Sequence, residues 1–291
     1  MQVNPSSVIN LSDLMATTAG EPDVVIGIID GPVNAAHPDL QQANLQTVPS
    51  RSSFQCESVN SLACQHGTFI AGILCGDRAT SPAIATDCTL LVRPIFCESS
   101  PSRSCPEVTP DHLATAITDT IAAGAQVINL SLGLSAAALF NHPRLKETCD
   151  YALQVGVLLV AASGNQGQVG PLPLFSHPWV IPVVACDRRG RLEPSSNIGP
   201  SVGRRGLMAP GVGITSLASG GGYTQMTGTS VAVPFVTGAI ALLWSLFPHV
   251  SAAEMHRAIL RPGGRRGNVI PPLLNAAESW QTLQSRAVSY V

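Results

Sequence analysis

Lysine is almost missing from this 291-residue chain: Lys146 is the sole one among 16 basic residues, and the rest are arginines. Charge of both signs is thin, at 12% of residues, with a formal net charge of −2. Such a chain has neither a basic stripe for nucleic acid nor a cationic face for an anionic membrane, so neither is expected as a partner. The pairs Arg204-Arg205 and Arg265-Arg266 lie in loop-like sequence and read as solvated surface. Long apolar runs are lacking too: nothing approaches the roughly 18 uninterrupted residues of a membrane span. Met1 to Gly20 has no basic flank leading into an apolar stretch, so no export signal is read there and a cytoplasmic location is expected. Neither Cys-x-x-Cys nor His-x-His occurs, which removes the common zinc spacings, and no metal or other cofactor is expected. No internal repeat or long low-complexity linker divides the chain.

What is present points to an α/β fold. Hydrophobic residues make up 45% of the sequence, enough for one sizeable core. Val24 to Ile29 is a short, β-branched, apolar run ending at Asp30-Gly31-Pro32 and reads as a strand buried on both faces. Further strands are expected at Thr89 to Ile95, Val127 to Leu132, Val155 to Ala161 and Val180 to Ala185. Helical spacing runs from His66 to Leu74, Asp111 to Ala123, Pro143 to Gln154 and Ala252 to Leu260. Strands alternating with helices in this way imply crossover connections and a mainly parallel sheet with helices on both faces. Gly199 to Gly222, rich in Gly, Ser and Arg, reads as loop. Residues 1–262 are taken as one domain, with 263–291 a tail or the start of a further region.

The eight cysteines are many for a reducing compartment. Cys56 and Cys64, and Cys97 and Cys105, each bracket a short polar loop that a disulfide could close, whereas Cys75, Cys88 and Cys186 read as buried thiols.

In a parallel α/β sheet, ligands bind beyond the carboxyl ends of the strands, so polar residues just after apolar strands are the candidates for chemistry. Asp30 follows the first strand, Asn165 follows Ala161-Ala162-Ser163-Gly164, and His66 opens His66-Gly67-Thr68. Gly228-Thr229-Ser230 leads directly into an apolar helix, whose first N–H groups favour negative charge on a substrate oxygen. A hydroxyl, an imidazole, a carboxylate and a neutral amide donor make the set needed for acyl transfer. Each also has a plain reading: Ser230 as a helix cap, Asp30 and Asn165 as turn formers, His66 as a packed structural residue.

Taken in order, the four blocks resemble those of the subtilisin-like serine proteases: Ile-Ile-Asp-Gly at Asp30, His-Gly-Thr at His66, Ala-Ala-Ser-Gly-Asn at Asn165 and Gly-Thr-Ser-x-Ala-x-Pro at Ser230. The order Asp, His, Ser is also that of subtilisin. The resemblance implies a subtilisin-like three-layer fold, Ser230 as nucleophile, His66 as base, Asp30 as its orienting carboxylate, and Asn165 as oxyanion donor. It further implies that Ser131-Leu132-Gly133 pairs with an extended substrate backbone and that Gly164 lines the first specificity pocket.

Asp30-Gly31-Pro32-Val33 departs from the usual Asp-Ser-Gly or Asp-Thr-Gly and, with Phe69 after His-Gly-Thr, is similar to the cyanobactin maturation proteases of the PatA and PatG type. Membership of that group implies a ribosomally made precursor peptide as substrate. The macrocyclising members carry a lysine-bearing helical insertion near the active site. Here no lysine precedes Lys146 and Asp30 and His66 stand close in sequence, so leader removal by hydrolysis is expected. A transamidating macrocyclase and a catalytically silent peptide-binding module are the rival readings. Asp39 stands where many relatives ligate calcium, but a lone carboxylate is a poor site for a cation that wants six to eight oxygens.

Overall fold

The computed structural model describes residues 4–48, 56–98, 107–132, 142–172, 177–261 and 269–287. Seven strands form one sheet: β1 (Val25–Asp30), β2 (Leu45–Thr47), β3 (Thr89–Pro94), β4 (Val127–Leu130), β5 (Leu158–Ala162), β6 (Val180–Cys186) and β7 (Leu207–Pro210). The order across it is β2-β3-β1-β4-β5-β6-β7, and every pair is parallel. A separate antiparallel hairpin joins β8 (Ile214–Leu217) to β9 (Tyr223–Met226). The expected α/β architecture is therefore present.

The central strands read as continuous apolar runs because both of their faces are covered. Helices Leu62–Cys75 and Thr229–Leu246 pack together on one face, and helices Pro110–Ala122 and Pro143–Val155 pack together on the other. The chain leaves β1 toward β3 and later returns to its other side at β4, which opens a crevice at their carboxyl ends. Asp30 is the last residue of β1, and Ser131 follows β4 directly, so both border that crevice.

Two stretches differ from the sequence reading, and a third adds to it. Gly199 to Gly222 is not simply loop: it holds helix Pro200–Arg205, the seventh sheet strand β7, and β8. Helix Thr229–Leu246 is long and apolar enough to span a bilayer by length and composition, with a mean hydropathy of 1.7 over 18 residues. It is 83% buried inside the protein, where it touches β4, β5, β6 and β7 as the central core helix. Residues 269–287 lie against the body of the fold: Leu273 bridges to Met208 of β7, and Leu274 and Leu283 are buried in the common core.

Candidate active site

The end of β1 and the start of the Leu62–Cys75 helix meet with almost no gap. A Cβ on Gly31 would sit 2.0 Å from the Ala63 carbonyl oxygen, and one on Gly67 2.5 Å from the carbonyls of Gly31 and Pro32. Two bare backbones in contact therefore bring Asp30 under His66. The Asp30 carboxylate is fully buried, and its Oδ1 accepts the Gly31 N–H at 2.6 Å and lies 2.7 Å from His66 Nδ1. Its Oδ2 has no hydrogen-bond partner among the described residues. A serine or threonine after the aspartate would offer a hydroxyl, but the Ala63 carbonyl leaves no room for any side chain at Gly31.

On the other side of the ring, His66 Nε2 lies 3.0 Å from Ser230 Oγ. The imidazole feels two opposed influences. Burial on its own lowers its pKa, but the charge of Asp30 and the hydrogen bond to it outweigh burial, and the pKa stands above the ordinary 6.5. Hydroxyl, imidazole and carboxylate thus form one hydrogen-bonded line, able to take a proton from the hydroxyl and to stabilise the imidazolium that results.

Ser230 is the second residue of its helix, after Gly228 and Thr229. Four residues on, Pro234 has no N–H, so the Ser230 carbonyl lacks its normal helical donor. Ser131 supplies one: its Oγ donates to the Ser230 carbonyl at 2.8 Å and accepts from Asn129 Nδ2 at 2.7 Å, while Thr237 Oγ1 donates to Asn129 Oδ1 at 3.2 Å. This buried polar chain locks the nucleophile's backbone to β4. It was not read from the sequence, although a proline four residues after the candidate serine was the available signal.

The Asn165 side chain is fixed through its carbonyl, which accepts the Thr229 N–H at 2.8 Å. That leaves its amide group for a substrate oxygen beside the Ser230 N–H. The loop that carries it is braced from behind: the buried Asn197 accepts the Gln166 and Gln168 N–H groups through Oδ1 and donates to Gln166 Oε1 at 2.7 Å. Gly164 has φ +99°, and a Cβ there would meet the Asn197 amide at 2.4 Å, so a bare residue is required.

Asp30, His66, Asn165, Ser230, Ser131, Leu132 and Gly164 all line one cleft of about 610 Å³. Phe96, Cys97 and Met226, which the sequence reading had not singled out, line it as well. Gly133 lies outside the described residues. A disulfide joins Cys56 to Cys64. Cys97 is also disulfide-bonded, and Cys105 lies outside the described residues. Cys75, Cys88, Cys149 and Cys186 are free and buried. Burial pushes the thiols of Cys75, Cys149 and Cys186 up to about 12 and that of Cys88 to about 11, so they stay protonated and unreactive.

Among the described residues, only Cys56, Cys64 and Glu98 are clustered closely enough to ligate a metal together. The two sulfurs are bonded to each other, and the Glu98 oxygens are taken by Glu57 N–H, Ser58 N–H and the Ser61 hydroxyl. Asp39 is likewise engaged: its Oδ2 accepts the Tyr223 hydroxyl at 2.5 Å and that of Thr80 at 3.4 Å.

The family model for the subtilases matches residues 21–269. The chain belongs to the subtilase family. It is 31% identical over 243 residues to subtilisin DY of Bacillus licheniformis, which covers 81% of this chain and 82% of that protein. It is 34% identical over 233 residues to a thermophilic serine proteinase of Bacillus sp. strain AK1, covering 78% of this chain and 54% of that protein. As a subtilase it is a serine protease, a hydrolase. Among solved structures, the protease domain of PatA has a TM-score of 0.83 at 31% identity, covering 92% of this chain and 97% of the other. The prenylagaramide maturation protease PagA has a TM-score of 0.81 at 29% identity, covering 94% and 98%. The subtilase is thus similar to cyanobactin maturation proteases. A PatG macrocyclase in complex with peptide shares the fold, with a TM-score of 0.80 at 21% identity, covering 94% of this chain and 95% of that one.

Proposed function

We propose that this subtilase is an endopeptidase that cuts a ribosomally made precursor peptide at the N-terminal side of its core, releasing the leader. Ser230 attacks the scissile carbonyl as His66 takes its proton, and His66 then returns that proton to the leaving amine. Asp30 holds the ring and stabilises its charged form. The Asn165 amide and the Ser230 N–H receive the developing oxyanion. Water resolves the acyl-enzyme.

The observation that carries the proposal is the unbroken line Asp30, His66, Ser230 at 2.7 and 3.0 Å, in a chain similar to the PatA protease domain at 31% identity. Hydrolysis is favoured over ring closure because the sole lysine, Lys146, is on the exposed side of the Pro143–Val155 helix, paired with Asp150 at 2.8 Å. That helix belongs to the layer across the sheet from those bearing His66 and Ser230. The test is to incubate the protein with a leader-bearing precursor and weigh the products. The expected result is free leader and a linear, hydrated core, both lost in Ser230→Ala along with fluorophosphonate labelling. A core lighter by one water would make the protein a macrocyclase, and a folded protein that neither labels nor cleaves would make it a binding module.

A further inference from the structure

Exposed leucines are common on protein surfaces and by themselves signify nothing. Leu62 stands apart. At 83% exposure it is the most exposed large hydrophobic side chain among the described residues, and it lines the same cleft as Ser230. It is the first residue of the helix that carries His66. Four residues apart, the two side chains share one helix face, so Leu62 stands one turn from the imidazole.

The loop that presents Leu62 is fastened far more heavily than an ordinary surface turn. The Cys56–Cys64 bond closes it, and Cys64 itself is fully buried between Leu62 and His66 in sequence. Inside that loop the largely buried carboxylate of Glu98 accepts from Glu57 N–H at 2.7 Å, from Ser58 N–H at 3.2 Å and from the Ser61 hydroxyl at 2.6 Å. The Ser219 hydroxyl donates to the Val59 carbonyl. Ser61 in turn caps the helix through the Cys64 N–H at 3.1 Å. Fixing the backbone that carries an apolar side chain before anything covers it lowers the ordering cost when a partner does arrive.

We infer that Leu62, held in place by this loop, is a specificity-determining contact that takes an apolar side chain of the peptide substrate close to the cut. Phe96 and Leu132 line the same cleft and complete the apolar surface. The inference rests on the serine-protease reading of the cleft but not on the identity of the precursor.

The experiment uses peptides in which each position flanking one cut site is leucine in one member and alanine in the other. For the wild-type protein, kcat/KM is expected to favour leucine by at least about tenfold at one of these positions. In Leu62→Ser that preference falls below about twofold, while Leu62→Met retains it. Cys56→Ser frees the loop without altering a side chain that lines the cleft. It lowers the same preference severalfold while cleavage of the alanine members continues. An unchanged leucine preference in Leu62→Ser, or none at any position in the wild type, overturns the inference. Failure to cut any member while a folded sample remains unlabelled by fluorophosphonate would overturn the protease reading and this inference with it.

Discussion

At the scale of single residues, the raised pKa of His66 sets the pH behaviour. A raised pKa keeps the imidazole protonated at pH values where an ordinary histidine is already neutral, and a protonated ring cannot accept the Ser230 proton. Activity is therefore low in acid and rises through the His66 pKa, so the acid limb of kcat/KM has its midpoint above 6.5. Asp30→Asn removes the charge that raises the pKa and leaves burial, which lowers it. Its residual activity, reduced by about 10⁴, is expected to show the limb displaced toward lower pH, as a pH–rate profile would reveal. Asn165→Ala is expected to lower kcat by about 10²- to 10³-fold with little change in KM, a size taken from subtilisin, where this kind of donor has been removed. Steady-state kinetics on one peptide checks it.

Asp30 and Asn165 could be singled out because each stands beside a glycine just after an apolar run, and His66 and Ser230 because each stands within two residues of a glycine where an apolar helix opens. The Ser131 hydroxyl was not. Its partner is a carbonyl 99 residues away, freed only because Pro234 lacks an N–H, and that pairing exists only once β4 and the Ser230 helix are side by side. Asn197 and Glu98 were missed for the same reason, since both work by filling backbone donors of distant loops.

Among elements, the decisive contact is between the end of β1 and the His66 helix. Gly67→Ala would drive a methyl group against two backbone carbonyls, neither of which belongs to a flexible side chain that could turn aside. The helix must shift, at a cost of about 1–3 kcal/mol in stability. A displacement of even about 1 Å between His66 and Ser230 lowers kcat/KM by about 10²-fold. Thermal unfolding and kinetics on the same variant measure both, and activity is expected to suffer far more than folding.

Five of the seven sheet strands were readable as buried apolar runs, because a strand covered on both faces has no polar alternation to confuse the pattern. β2 and β7 were not. β2 spans three residues, and β7 is the short run Leu207–Pro210 between Gly206 and Gly211, too brief for periodicity to show. Only the company of β6 and the Leu273 bridge makes β7 a strand.

For the molecule as a whole, the final described segment contributes to the common core. Leu274 and Leu283 are each 1% exposed, and the Ala276 N–H donates to the Ile9 carbonyl at 2.9 Å. Truncation after Arg261 removes both leucines and uncovers the core they pack on, and is expected to cost about 3–6 kcal/mol, lowering the melting temperature by about 10 °C or more. A melting temperature unchanged by the truncation would show that the segment is an appendage.

The scarcity of lysine also has a practical side. With Lys146 its single side-chain amine, 72% exposed and set in the helix layer that carries neither His66 nor Ser230, the protease offers amine-reactive chemistry one side-chain target, across the sheet from the cleft. The one lysine, too far from Ser230 to crowd an acyl-enzyme, becomes a handle for holding the protein.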